Sequence, residues 1–258
     1  DLKIHINHPN PTSTIPMKKL LLIIAVSATG LTGASAQIFK TINSTEMVNG
    51  FMNVFNLPSD GGAKQFDSGW GVADLRATFF TPTTLTMLPN TIGDPAVPYW
   101  YQSAPTNLSG AATGALGNKM MEANLYGQAA PGAFAGQVVT FAGSVNSFDL
   151  ATNSAGIPYE LTVFIRDFAP DFSSFTTTTQ AITSTGDFVI NLVASGDSGR
   201  HVQWGVQMVG PNIWGTDSAQ LATAGGATIE AIPEPSTYAL LALGAAGLGA
   251  HLVRRRRR

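Results

Sequence analysis

From Gln37 onward the apolar residues recur with a period of two, not 3.6. Val202, Trp204, Val206 and Met208 alternate with His201, Gln203, Gly205 and Gln207, which predicts a half-buried strand with one polar face. Phe188, Ile190 and Leu192 predict a second strand. Leu161, Val163 and Ile165 predict a third, with Phe164 on its opposite face. Val139, Phe141 and Val145 predict a fourth, with Gly143 at a candidate bulge. Further strands are expected at 38–42, 47–55, 72–80 and 84–88. Turn signals separate them: Asp60-Gly61-Gly62, Asn153-Ser154-Ala155-Gly156, Thr185-Gly186-Asp187 and Ser195-Gly196-Asp197. No stretch of this part sustains a helical period, and 118–126 is the best short helix candidate. Eight or so short strands with long connections predict an all-β chain folded as a two-sheet antiparallel sandwich.

Two apolar runs break the alternation, one near each end. Leu20 to Val26 follows Lys18 and Lys19 and precedes Ala34-Ser35-Ala36. A basic start, a short apolar run and an A-x-A site make a cleavable secretory signal peptide over 17–36, cut by signal peptidase between Ala36 and Gln37. Met17 is the expected start, and residues 1–16 are expected to be a non-native upstream extension. Tyr238 to Val253 is apolar except for His251, and Arg254, Arg255, Arg256, Arg257 and Arg258 follow it. About 16 apolar residues fall just under the roughly 17–25 that span a bilayer, and snorkelling arginines make up the shortfall. The run is therefore expected to be a single C-terminal transmembrane helix with its arginines in the cytoplasm.

The tail carries a family resemblance. Pro233-Glu234-Pro235, then Ser236-Thr237, a short apolar helix and terminal arginines resemble the PEP-CTERM sorting signal of Gram-negative bacteria. That resemblance implies cleavage near the motif by exosortase, a pause in the inner membrane, and delivery to the cell surface or extracellular polymer. Proline lacks an N–H and disfavours helix in its predecessor, so two prolines keep such a site extended and open to a protease. The alternative is an ordinary C-terminal anchor. A second resemblance is one of pattern: 138–228 is similar to the C-terminal half of jelly-roll, galactose-binding-like modules. The expected organisation is thus an extension at 1–16, a signal peptide at 17–36, a jelly-roll-like β-sandwich at 37–231 and a sorting signal at 232–258.

Composition narrows the classes. Charged residues make up 12% and cysteine is absent, so disulfides, thiolate metal sites and a cysteine nucleophile are excluded. Residues 37–231 hold six Lys/Arg against fourteen Asp/Glu, a balance near −8. Such a surface repels phosphate backbones, so no nucleic-acid partner is expected. His201 is the sole histidine in this segment and no G-x-S-x-G occurs, so neither a serine triad nor a histidine metal site is expected. Asp167 and Asp171, around Ala169-Pro170, suit paired carboxylates, a Ca²⁺ site or a turn. The run Thr176 to Thr179 suits O-linked sugar or a strand edge.

The candidate binding residues are three aromatics in a Gly/Pro/Ala-rich region at 90–136. Tyr99, Trp100 and Tyr101 either stack on sugar rings or plug one end of the sandwich. Trp204 is expected in the core; Trp70 and Trp214, each beside a glycine, are open. The leading expectation is a non-enzymatic structural or adhesive protein of the cell surface or matrix, with no cofactor. The alternatives are a carbohydrate-binding module retaining extracellular polysaccharide through those aromatics, and a glycoside hydrolase built on paired carboxylates.

Overall fold

The computed structural model describes residues 37–94, 99–102, 116–153 and 155–234. The signal segment with Ala34 and Ala36, Ser154, and the tail from Pro235 through the five arginines lie outside them.

Two six-stranded sheets form the domain. The first contains β1 (Gln37–Lys40), β4 (Ala77–Thr81), β5 (Thr84–Met87), β8 (Val138–Phe148), β11 (Gly186–Val193) and β14 (Ala227–Glu230). The second contains β2 (Asn49–Asn56), β3 (Lys64–Gly69), β7 (Lys119–Gln128), β9 (Glu160–Phe168), β10 (Phe175–Ile182) and β12 (His201–Pro211), in the order β10-β9-β12-β7-β2-β3. β8 organises the first sheet. β11 runs along one of its edges from Val138 to Val145. Along the other edge β1 takes 138–141 and β14 takes 144–148, and β14 then pairs with β5 and β5 with β4. A 3-10 turn (Pro58–Asp60), a two-residue parallel pair, β6 (Thr91–Ile92) with β13 (Ile213–Trp214), and a short helix α1 (Ser218–Ala224) complete the described elements.

The sandwich follows from the alternation. Val202, Trp204, Val206 and Met208 of β12 face inward with Leu161, Val163 and Ile165 of β9 and Met121, Ala123 and Leu125 of β7. They meet Val139, Phe141, Phe188, Ile190 and Ile229 of the first sheet in one continuous core. Trp204 and Trp214 are buried; Trp70 is half-buried against the core.

Several expectations are corrected. The helix candidate at 118–126 is β7, flanked by β12 and β2. Its Met, Glu, Ala and Leu are good helix formers, but pairing on both edges and an inward apolar face override propensity. The strand expected over 72–80 begins only at Ala77, because 72–76 is turn and Arg76 has φ 59°. β3 went unforeseen because Phe66 is its one large apolar residue. Pairing is not wholly antiparallel: β1 runs parallel to β8. The register shift opposite β8 falls between Thr228 and Ile229, not at Gly143. Gly143 instead leaves room for Phe188, whose ring lies 2.8 Å from where a Cβ would sit. α1 went unpredicted; Asp217 caps it, its carboxylate accepting from the Gln220 N–H at 3.0 Å.

Candidate functional site

Two regions stand out, the point where the chain leaves the domain and the outer face of the second sheet.

The exit is tightly fixed. After β14, the Ala231 N–H donates to Thr83 O at 2.9 Å, and the Ile232 N–H donates to Thr41 Oγ1 at 3.2 Å. Pro233 and Glu234 follow at once and are exposed. The first two residues of the Pro-Glu-Pro motif are thus exposed immediately after Ile232. Pro235 lies outside the described residues.

On the second sheet the alternates of the core residues face outward. One cross-strand row reads Asn49, Tyr126, Gly205, Phe164, Thr179. The rows on either side carry Gln128, Gln203 and Arg166, and Asn124, Gln207 and Thr162. Gly205 is required here, since a Cβ would fall 2.8 Å from the Tyr126 Cβ. Phe164 is fully buried yet lies outside the core cluster. The Arg166 guanidinium covers it, 3.9 Å from the ring centroid, a favourable cation–π contact.

Hydrogen bonds tie this face together. Arg166 Nη1 and Gln207 Nε2 both donate to Asn124 Oδ1 at 2.9 Å. Asn53 Nδ2 donates to Glu122 Oε1 at 2.8 Å, and Asn124 Nδ2 donates to the same oxygen at 3.3 Å. Gln203 Nε2 donates to Gln128 Oε1 at 2.8 Å. Burial lowers the Arg166 pKa from its usual range, with Glu122 and Tyr126 opposing. Burial raises the Tyr126 phenol, with Arg166 opposing. Among the described residues the ion pairs are Lys40–Glu46, Lys64–Asp67 and Arg200–Asp167; Arg166 has none. Phe175, 5.8 Å from the guanidinium, is half exposed, as is Phe172. Phe172 stacks on His201 at 4.5 Å, and Phe175 packs on Phe168 at 4.8 Å.

The three expected aromatics do not form a platform. Tyr101 is fully buried, its hydroxyl donates to Ile92 O, and its ring meets Trp214 edge-on. Trp100 is 9% exposed and donates Nε1–H to Asp94 Oδ2 at 3.2 Å. Tyr99 alone is exposed, at 38%, with the Lys119 ammonium 4.6 Å from its ring centroid. Consecutive residues cannot all face one way, and two of these three close the sandwich beside Phe66 and Trp214.

Asp167 and Asp171 are likewise separate. Asp167 is buried and accepts from Arg200 Nε at 3.0 Å and from the Ser195 N–H at 2.8 Å. Asp171 is exposed and accepts from the Ser173 N–H and Oγ, which also lowers its pKa. Among the described residues no group of three potential ligands gathers. His201 begins β12 half-buried, and its Nδ1 has no partner. The Thr176–Thr179 run lies on β10, an outer strand of its sheet. A shallow depression of about 450 Å³ lies elsewhere, lined by Trp70, Asp74, Arg76 and Thr91 among others.

Residues 231–258 match the family model of the PEP-CTERM protein-sorting motif. No curated protein and no solved structure matches the chain.

Proposed function

We propose, from the premise that this is a secreted, exosortase-sorted protein carried to the cell surface by its PEP-CTERM signal, that it serves there as a non-enzymatic structural or adhesive β-sandwich. Its setting is the surface or extracellular matrix of a Gram-negative cell. The carrying observation is the join at Ile232, where a folded two-sheet domain ends and an exposed Pro233-Glu234 begins. A protease that cuts near such a motif releases the whole sandwich intact. The signal implies a membrane-spanning helix, which holds the chain in the inner membrane until that cut. The apolar run from Tyr238 to Val253 supports that helix in sequence; among the described residues no helix is long and apolar enough to cross a membrane.

The test is fractionation of cells expressing the chain. Wild-type protein is expected at the surface without Tyr238–Arg258. Recovery there of a chain that still carries Leu252-Val253 and the arginines would mean an ordinary anchor. An adhesive role predicts that cells lacking the protein lose attachment or matrix cohesion, and unchanged attachment would refute that role. A second reading, a carbohydrate-binding module, is favoured by the outer face of the second sheet and not by Tyr99, Trp100 and Tyr101.

A further inference from the structure

The outer face of the second sheet holds a cation with no carboxylate within ion-pair distance among the described residues. Arg166 lies mid-strand on β9, partly desolvated, with one side-chain bond, to the neutral Asn124 amide at 2.9 Å. Glu122, the carboxylate nearest in this network, is outside ion-pair distance, and its Oε1 already accepts from Asn53 and Asn124. A desolvated charge without a counter-ion is costly. The fold nonetheless fixes this one in place, with its Cζ 3.9 Å from the Phe164 ring centroid and its Nη1 bonded to Asn124. A guanidinium fixed in this way keeps free N–H donors in the planar arrangement that matches a carboxylate.

The surroundings restrict the anion. Of the neighbouring polar groups, Gln203 and Asn124 are buried, while Gln207 and Tyr126 are partly exposed, neutral and able both to donate and to accept, as sugar hydroxyls do; the carboxylate of the network, Glu122, is bonded to Asn53 and Asn124. Half-exposed Phe175 offers an apolar ring face, its centroid 5.8 Å from the guanidinium. One isolated cation in a segment of balance near −8 does not suit a dense polyanion such as a phosphate backbone. It suits a ligand that brings a single carboxylate to Arg166 among neutral hydroxyls.

We propose that this face binds an acidic saccharide, a uronate unit whose carboxylate pairs with Arg166, whose hydroxyls meet Gln207 and Tyr126, and whose apolar face rests on Phe175. The proposal rests on the reading of the protein as a non-enzymatic surface module. It moves saccharide recognition from the buried aromatics to the sheet.

The experiment titrates the full chain, purified in detergent, with oligomers of galacturonate, glucuronate and mannuronate and with their carboxyl-reduced counterparts. At least one uronate oligomer is expected to bind, with its reduced form about tenfold weaker or more, as loss of a charge-assisted bond dictates. Arg166→Gln is expected to reproduce that loss, and Arg166→Lys to fall between. If Arg166→Gln fails to fold by its melting profile, the uronate-to-reduced ratio on the unaltered chain decides alone. Equal binding of both forms, no binding of any uronate at millimolar concentration, or equally strong displacement by inorganic phosphate would each overturn the proposal. Sorting is scored separately: Glu234→Ala is expected to alter delivery and leave uronate binding unchanged, so failure of either reading is distinguishable from failure of the other.

Discussion

Trp100 shows how one residue decides between two roles. As a ligand platform it would tolerate truncation; buried against Phe66 and Tyr99, Trp100→Ala is expected to cost about 3–5 kcal/mol. A thermal melt checks this, and an unchanged Tm would return the ring to the surface. Asp167→Ala breaks a buried pair. The expected loss is about 3 kcal/mol, the low end for such pairs, because the Arg200 side chain keeps 18% of its exposure; denaturant unfolding measures it. Tyr101, Tyr126 and Tyr159 all have pKa values raised by burial. A raised phenol pKa favours the folded, neutral form. Its stabilisation is complete below the unfolded value near 10 and is lost as pH rises through the folded values. The Tm is thus expected to hold from neutral pH to about 10 and then fall, with tyrosinate absorbance rising as unfolding proceeds. At this scale the sequence was only partly legible. Trp204 stood in an alternating strand and its burial followed. Tyr99, Trp100 and Tyr101 stood in a Gly/Pro/Ala-rich loop, where no period tells inside from outside. Arg166 was detectable as one of six cations between 37 and 231, set in mid-strand, but its lack of a counter-ion is a tertiary fact.

Among elements, β8, β9, β11 and β12 were legible because each carries three or more inward apolar residues at period two. β7 was not, since Met-Met-Glu-Ala-Asn-Leu reads equally as helix until its two partners are known. β3 and β10 lie at the two ends of the second sheet and bury little, so their polar sequences gave weak signals. Hydrogen exchange should rank them accordingly, with β7 and β12 amides protected longest and β3 and β10 amides exchanging first; the reverse order would contradict this strand arrangement. The β7–β12 contact also depends on Gly127. A Cβ there would lie 2.5 Å from the Trp204 ring, so Gly127→Ala is expected to cost about 1–3 kcal/mol by overpacking, read from a shifted denaturation midpoint.

At the scale of the whole molecule, the two expected processing points bracket the sandwich in sequence. β1 begins at Gln37, so cleavage after Ala36 leaves its pairing with β8 intact. Exported protein is expected to begin at Gln37, and N-terminal sequencing that finds Met17 or Asp1 would exclude that cut. Glu234→Ala is expected to leave full-length protein in the inner membrane with the domain's melting profile unchanged, because Glu234 is exposed and follows β14, the last strand of the sandwich; immunoblots of inner-membrane and surface fractions check it. The placement of β14 has a further consequence, for timing. It is the last strand before the sorting segment, yet it sits inside the first sheet between β5 and β8. Until Ala227–Glu230 emerges from the export channel, β5 and β8 each carry an unpaired edge, open to mispairing with other chains. Folding therefore cannot finish as the chain emerges; it finishes only when the residues next to the protease motif arrive. Completion of the sheet and presentation of the cleavage site become a single late event in the protein's synthesis.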